Sequence, residues 1–325
     1  MAGRPRLVLF GAGVLLAAAT SGVAGAWWWA QSHLYAPGPL AAPVVLEFPR
    51  GIGVAGIAGR LAEVGALEHP RAFVLLARLT GRDRRLQAGE YRLEPAMSPD
   101  AILVLLESGQ VVQHPIAVPE GLTVHEKFAL LAGADVLAGE LPPLPPEGTL
   151  LPDTWLVRRG EPRAELVARM QAAMTAELDR VWAARAADLP LASPHEALVL
   201  ASIIEKETAK PDEHALVAAV FVNRLRVGMP LQTDPTVIYA LAEGRGPLGR
   251  ELTRVDLQVE HPYNTYRVAG LPPGPIANPG RAALAAAVAP AAVDYLYFVA
   301  DGSGGHAFAR SLAEHNRNVA RRAGL

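Results

Sequence analysis

Residues 194–208 read PHEALVLASIIEKET, and the rest of the chain is best read outward from them. Ser193 is placed to cap a helix, Pro194 suits its first position, and Glu196 puts negative charge in its first turn. Leu200, Ile203, Ile204 and Glu207 fall on one line at helical spacing, so an apolar stripe ends in a carboxylate. Glu205 continues a different line, through Leu198, Ala201 and Ser202. A carboxyl beside apolar side chains has its charged form disfavoured, and its pKa rises towards the range of a general acid. The plainer reading is open at this point: Glu207 is the first polar residue where a helix leaves the core.

Composition narrows the classes. The chain has 325 residues, enough for two domains with a sizeable core. Its formal net charge of −2 argues against duplex nucleic acid as a partner. There is no cysteine, which excludes disulfides and thiolate metal sites. Lysine occurs only at 127, 206 and 210.

At the N-terminus, Leu7 to Trp29 is an uncharged, mostly apolar run long enough to span a bilayer as a helix. Arg4 and Arg6 precede it and no basic residue follows before Arg50, so the N-terminus is expected in the cytoplasm and the remainder outside. Trp27, Trp28 and Trp29 suit the outer interface. Ala24-Gly25-Ala26 alternatively resembles a signal-peptide cleavage site, and either reading exports the remainder.

Residues 30–42 form a proline-containing tether. Pro43 to Phe48 reads as a strand, Val54 to Val64 and Pro70 to Leu79 as helices, and Leu86 to Leu93 as a second strand. A helix from Ser98 to Gly109, a strand at 111–118 and a helix opened by a Thr123–Glu126 capping box follow. The β-α-α-β order resembles a LysM module, with glycan binding and plain packing both open. Pro142, Pro143, Pro145 and Pro146 break all periodicity, and a linker or long loop is expected at 138–152.

Further on, Arg163 to Ala187 reads as a long helix and 211–227 as another, with Asn223 on its apolar face and in need of a polar partner. In PLQTDPTVIYAL (230–241), Asp234 before Pro235 reads as a helix N-cap, leaving Gln232 and Thr233 free for polar contacts. HPYNTYRVAGLPPGPIANPG (261–280) offers aromatic faces and neutral hydrogen-bonding groups, which suits carbohydrate or a proline-stiffened loop. A strand–turn–strand follows from Asp294 through His306. His306 and His315 lack the spacing of a metal site and are taken as structural residues or substrate contacts.

Five segments, ASIIEKET, FVNRLRVGMPLQTDPTVIYAL, YNTY, GLPPGPIANPG and YLYFVADGSGGHAF, closely resemble the YceG-like family of endolytic murein transglycosylases. Upstream, LQAGEYRLEPAMSPDAI and PEGLTVHE resemble its LysM-like region. GTLLPDTW departs modestly, since the family often has phenylalanine before PDT and tyrosine after. The resemblance implies an inner-membrane enzyme with its catalytic domain in the periplasm, acting on peptidoglycan glycan strands. It would cleave the β-1,4 bond between N-acetylmuramic acid and N-acetylglucosamine and leave a 1,6-anhydro end. It implies Glu207 as the catalytic acid, needs no cofactor or metal, and points to cell-wall synthesis complexes as partners. Gln232, Thr233, Tyr263, Asn264, Thr265 and Tyr266 would bind the sugars.

A glycoside hydrolase uses two carboxylates, and only one convincing candidate is visible. A lytic transglycosylase needs one, because the muramic acid's own C6 hydroxyl is the nucleophile. The rivals are a hydrolytic muramidase and a non-catalytic, membrane-tethered wall-binding scaffold. The expected architecture is α+β: a cytoplasmic tail at 1–6, a single transmembrane helix at 7–29 and a linker at 30–42. A LysM-like small α/β region at 43–137, a proline-rich linker at 138–152 and a lysozyme-like catalytic domain at 153–325 complete it.

Overall fold

The computed structural model describes residues 20–22, 24–25, 27–29 and 32–323. The expected tail and most of the expected span lie outside the described residues. Among those described, no helix is long and apolar enough to cross a membrane. The fold is α+β, and the chain forms two compact units, Met1–Gln113 and His114–Leu325.

In the first unit, strand β1 (Val44–Phe48) pairs antiparallel with β2 (Gly89–Leu93), Val44 opposite Leu93 and Phe48 opposite Gly89. Helices α1 (Val54–Glu63) and α2 (Pro70–Leu79) lie between them in sequence, and α3 (Pro99–Ser108) follows. Their inward faces bury Phe48, Leu61, Phe73, Tyr91 and Leu103 in one core. Arg82 ties the end of α2 to α3 by ion pairs to Asp100 (2.6 Å) and Glu107 (2.9 Å). The pairs are mostly shielded from water, which gives them more weight than open surface pairs.

The second unit begins earlier than the sequence predicts. Strand β3 (His114–Val118) pairs antiparallel with β5 (Asp153–Val157), His114 opposite Val157, and β4 (Leu137–Ala138) pairs parallel with β6 (Glu161–Pro162). Together with α4 (Val124–Ala132) and the start of α5 (Arg163–Ala183), they enclose a core around Ile116, Phe128, Leu131 and Met170. Residues 114–137 therefore lie in the second unit, not the first. The stretch 138–152 is an internal loop of that unit, not a linker between domains. The prolines do remove periodicity, but Leu150 and Leu151 are fully buried, one in each of the unit's two cores.

The larger core surrounds α6 (Pro194–Glu207). Every residue from Ala197 to Ile204 is buried, so this helix is enclosed on all sides and the expected stripe is only part of its buried surface. Helices α5, α7 (His214–Arg226) and α9 (Arg281–Val288) pack around it, and α8 (Asp234–Ala242) meets it near its C-terminal end. A hairpin of β7 (Tyr297–Ala300) and β8 (His306–Ala309) carries the last helix, α10 (Leu312–Ala323). Asn223 finds its partners there: its amide donates to the carbonyls of Val293 (2.9 Å) and Tyr295 (3.0 Å).

Candidate active site

Helix α6 is set at both ends. The Ser193 hydroxyl accepts from the Glu196 N–H (3.2 Å), and the Glu196 carboxylate accepts from the Ala192 N–H (2.7 Å). At the far end Thr208 turns extended, with φ −142° and ψ 134°, so Glu207 is the last helical residue. The negative end of the helix dipole adds to whatever else disfavours charge there.

Glu207 retains partial exposure, yet burial is the largest influence on its carboxyl and holds its pKa above the ordinary value. Asp234 pushes in the same direction, because two like charges resist sharing a site. The Thr233 hydroxyl, His306 and Arg224 oppose the shift. The hydrogen bond is specific: Thr233 donates to Glu207 Oε1, and no protein donor reaches Oε2 among the described residues.

What aims Thr233 is visible in the backbone. Gln232 has φ +49°, a left-handed conformation uncommon for its residue type, and strain of this kind concentrates at functional sites. The Gln232 N–H donates to the Thr265 carbonyl (3.2 Å), and the Thr233 N–H donates to the Thr265 hydroxyl oxygen (3.1 Å). Thr236 and Thr265 share a further hydroxyl contact at 2.9 Å. The segment before α8 is thereby clasped to the 263–266 turn, and Thr233, itself buried, faces Glu207.

Asp234 is not the N-cap. Thr233, extended, takes that position, and Asp234 is the first helical residue, exposed, accepting the Tyr266 hydroxyl at 2.6 Å. Tyr266 thus stands beside both carboxylates, and its burial raises its own pKa.

The YNTY turn divides. Asn264 is fully buried; its amide donates to the carbonyls of Leu257 (3.1 Å) and Val259 (2.8 Å), and its side-chain oxygen accepts the Tyr266 N–H (3.0 Å). Thr265 is equally buried, and its hydroxyl is engaged with residues 233 and 236. Both were expected to bind sugar; in the fold their polar atoms are engaged in holding the turn in place. Gln232 keeps an exposed side chain, and Tyr263 and Tyr266 remain half-buried. Asn278 is likewise internal, bridging the Leu150 N–H, the Leu122 carbonyl and Glu147.

The two acids of the EKE triplet face different surroundings. Glu205 accepts the Gly280 N–H (2.9 Å) and interacts with Glu120, His214 and Lys127, while burial raises its pKa. His306 pairs with Glu213 through Nδ1 at 2.7 Å, with the Glu213 carboxylate also accepting the Thr208 hydroxyl (3.2 Å). His315 stacks on Tyr297. No cluster of three or more metal-binding side chains occurs among the described residues.

One carboxyl went unnoticed in the sequence. Glu147 is half-buried, and burial raises its pKa to about 7; burial lowers that of the nearby, fully enclosed Lys127 to about 7. Its setting, PPEGT, reads as loop, and no local pattern marks it.

Comparison with known proteins agrees with the resemblance. The family model described as the YceG-like family matches residues 46–321. A Bacillus subtilis (strain 168) protein named endolytic murein transglycosylase is 34% identical, with 84% of this chain and 83% of that protein aligned. A Streptococcus pneumoniae (serotype 2) protein of the same name is 29% identical over 85% of this chain and 58% of its own greater length. The crystal structure of a YceG-like protein from Listeria monocytogenes superposes with a TM-score of 0.51 at 30% identity, covering 85% of this chain and 98% of that one. With the match running through both units and across the α6 site, the chain belongs to the YceG-like family.

Proposed function

We propose that the protein is an endolytic lytic transglycosylase of peptidoglycan, cutting the β-1,4 bond from N-acetylmuramic acid to N-acetylglucosamine. The observation that carries the reading is Glu207: a carboxyl kept towards its neutral form, one oxygen held by Thr233 and the other open. The names of its relatives support the same reaction.

In the proposed reaction, protonated Glu207 donates to the glycosidic oxygen as the bond to C1 of the muramic acid breaks. The N-acetylglucosamine side leaves with a hydroxyl at C4. The positive character at C1 is shared with the substrate's own acetamide. The new Glu207 carboxylate then takes the proton of the muramic C6 hydroxyl as that oxygen bonds to C1, closing the 1,6-anhydro ring. The acid is restored and no water is consumed. Thr233 favours the carboxylate in the middle of this cycle, and Asp234 favours the acid at its start. Gln232, Tyr263 and Tyr266 offer the surface on which sugars are oriented. Positioned proton transfer of this kind contributes on the order of 10²–10⁴-fold.

One observation favours a second reading, an ordinary muramidase: Asp234 is a second carboxylate close enough to raise the pKa of Glu207. Cleavage in isotopically labelled water separates the two. The transglycosylase incorporates no label into the new end, and labelled ends would establish the hydrolase. Glu207→Gln should lose cleavage and keep strand binding; retained cleavage would remove Glu207 as the acid, and a wild type that cleaves nothing would leave the non-catalytic scaffold.

The apolar run at 7–29, preceded by Arg4 and Arg6, supports a single-pass anchor in the cytoplasmic membrane with both units outside. In that setting the β-α-α-β module serves as a LysM-like glycan contact, and cell-wall synthesis complexes are the expected neighbours.

A further inference from the structure

Glu147 is anchored in an asymmetric way. Its Oε1 accepts three hydrogen bonds, from the Val124 N–H (2.9 Å), the Gly148 N–H (3.3 Å) and the Asn278 amide (2.9 Å). Its Oε2 has no protein donor among the described residues, and the residue is partly exposed. Here one oxygen is fixed and the other is presented.

The same loop reaches an aromatic row: a Cβ on Gly148, next to Glu147, would meet the Pro275 ring at 2.7 Å, and one on Gly274 would meet the Tyr263 hydroxyl at 2.7 Å. Tyr239 and Tyr263 lie with ring centroids 4.9 Å apart, His261 continues the row at 5.8 Å, and both tyrosines interact with the Glu147 charge. The chain at Gly244 passes so near Tyr239 that a Cβ there would come within 2.9 Å of the ring. Lys127 and Glu126 are the charged neighbours of Glu147. The group also lies next to the proposed active site. Helix α8 starts at Thr233 and Asp234, beside Glu207, and Tyr239 is five residues on, about 8 Å along the axis at helical rise. Tyr263 precedes Tyr266, the partner of Asp234, by three residues.

We infer that Glu147, with the Tyr239–Tyr263 pair, forms a sugar subsite adjoining Glu207. The rings take the apolar face of an N-acetylhexosamine, and Oε2 accepts a hydrogen bond from its hydroxyl or acetamide N–H. The subsite rests on the glycan-cleaving reading above, and it makes Glu147 a substrate-positioning residue of the same strand that Glu207 cuts.

Glu147→Gln is a clean probe, because the amide oxygen can keep all three anchoring bonds while the presented arm loses its charge and becomes a donor. Steady-state cleavage of defined glycan strands should show KM raised about tenfold or more, as for a lost charge-assisted hydrogen bond. Strand binding by Glu207→Gln should weaken by a similar factor when Glu147→Gln is added. Unchanged KM and unchanged binding, in a variant that melts like its parent, would reduce Glu147 to a loop anchor. If Glu147→Gln does not fold, Tyr263→Leu takes its place, with the same rise in KM expected and the same unchanged value overturning the subsite. Failure of the parent reading looks different: wild-type protein would then yield no anhydro ends, while the binding comparison still reports on the subsite.

Discussion

Helix α6 carries two carboxyls to its C-terminal end, two residues apart, and their surroundings differ in kind. Glu205 turns into the protein, where a backbone N–H from Gly280 holds it and Lys127 and His214 lie near. Glu207 meets one hydroxyl, that of Thr233, and leaves an oxygen open. Both are raised by burial, so a raised pKa alone does not mark a catalytic acid. What separates them is the partner: a backbone N–H of the fold fixes Glu205, whereas the donor to Glu207 is a side-chain hydroxyl next to the exposed Asp234 and the half-buried Tyr266.

The largest expected effect tests that separation directly. Glu207→Gln should lower the cleavage rate by at least about 10²-fold, within the range of positioned acid–base catalysis, measured as anhydro ends released per unit time. Glu205→Gln should stay within a few-fold of wild type, since an amide oxygen can still accept the Gly280 N–H. Equal losses in the two variants would erase the distinction.

Next come the neighbours that set the charge of Glu207. The cleavage rate needs its acid form and should fall as pH rises through its raised pKa. Asp234→Asn removes a charge that raises this pKa, so the alkaline limb should move to lower pH. Thr233→Val removes a donor that favours the carboxylate, so the limb should move to higher pH, with a lower maximum rate. Shifts in the same direction would contradict the account of the site.

A smaller effect falls on stability. A carboxyl whose folded pKa is raised costs stability progressively from about its unfolded pKa, near 4.3, up to the raised value, and the cost is constant beyond. Glu207→Gln removes that penalty, so it should melt above wild type at neutral pH and level with it in acid. Each kcal/mol recovered corresponds to about 2–4 °C for a domain of this size. Glu205→Ala should instead lower stability by about 1–3 kcal/mol, because the Gly280 N–H is left without its acceptor.

Much of this was readable from local sequence. The cap and first turn of α6, its apolar interior and the placing of Glu205 and Glu207 on different lines follow from residue types at short spacing. The Thr123–Glu126 capping box forms with both of its bonds. What escaped depended on partners far away in the chain. The 138–152 stretch reads as a linker because its prolines are local, while the β3–β5 pairing that encloses it spans tens of residues. Asn264 and Thr265 look like sugar ligands by type, and only the clasp with residues 232–236 and 257–259 shows them engaged internally. Asp234 beside Pro235 carries a capping signature, yet Thr233 takes the cap because the clasp holds it extended. Glu147 had no local mark at all, since its surroundings are assembled from residues 124, 127, 239, 263 and 278.

In the proposed reaction Glu207 cleaves glycan strands without water. The most direct test is the mass of the products released from purified peptidoglycan by the wild-type protein and by Glu207→Gln. Fragments lighter by one water than hydrolytic ends, made by the wild type and absent from the variant, are the predicted result. Reducing ends from the wild type, or undiminished anhydro ends from the variant, would contradict it.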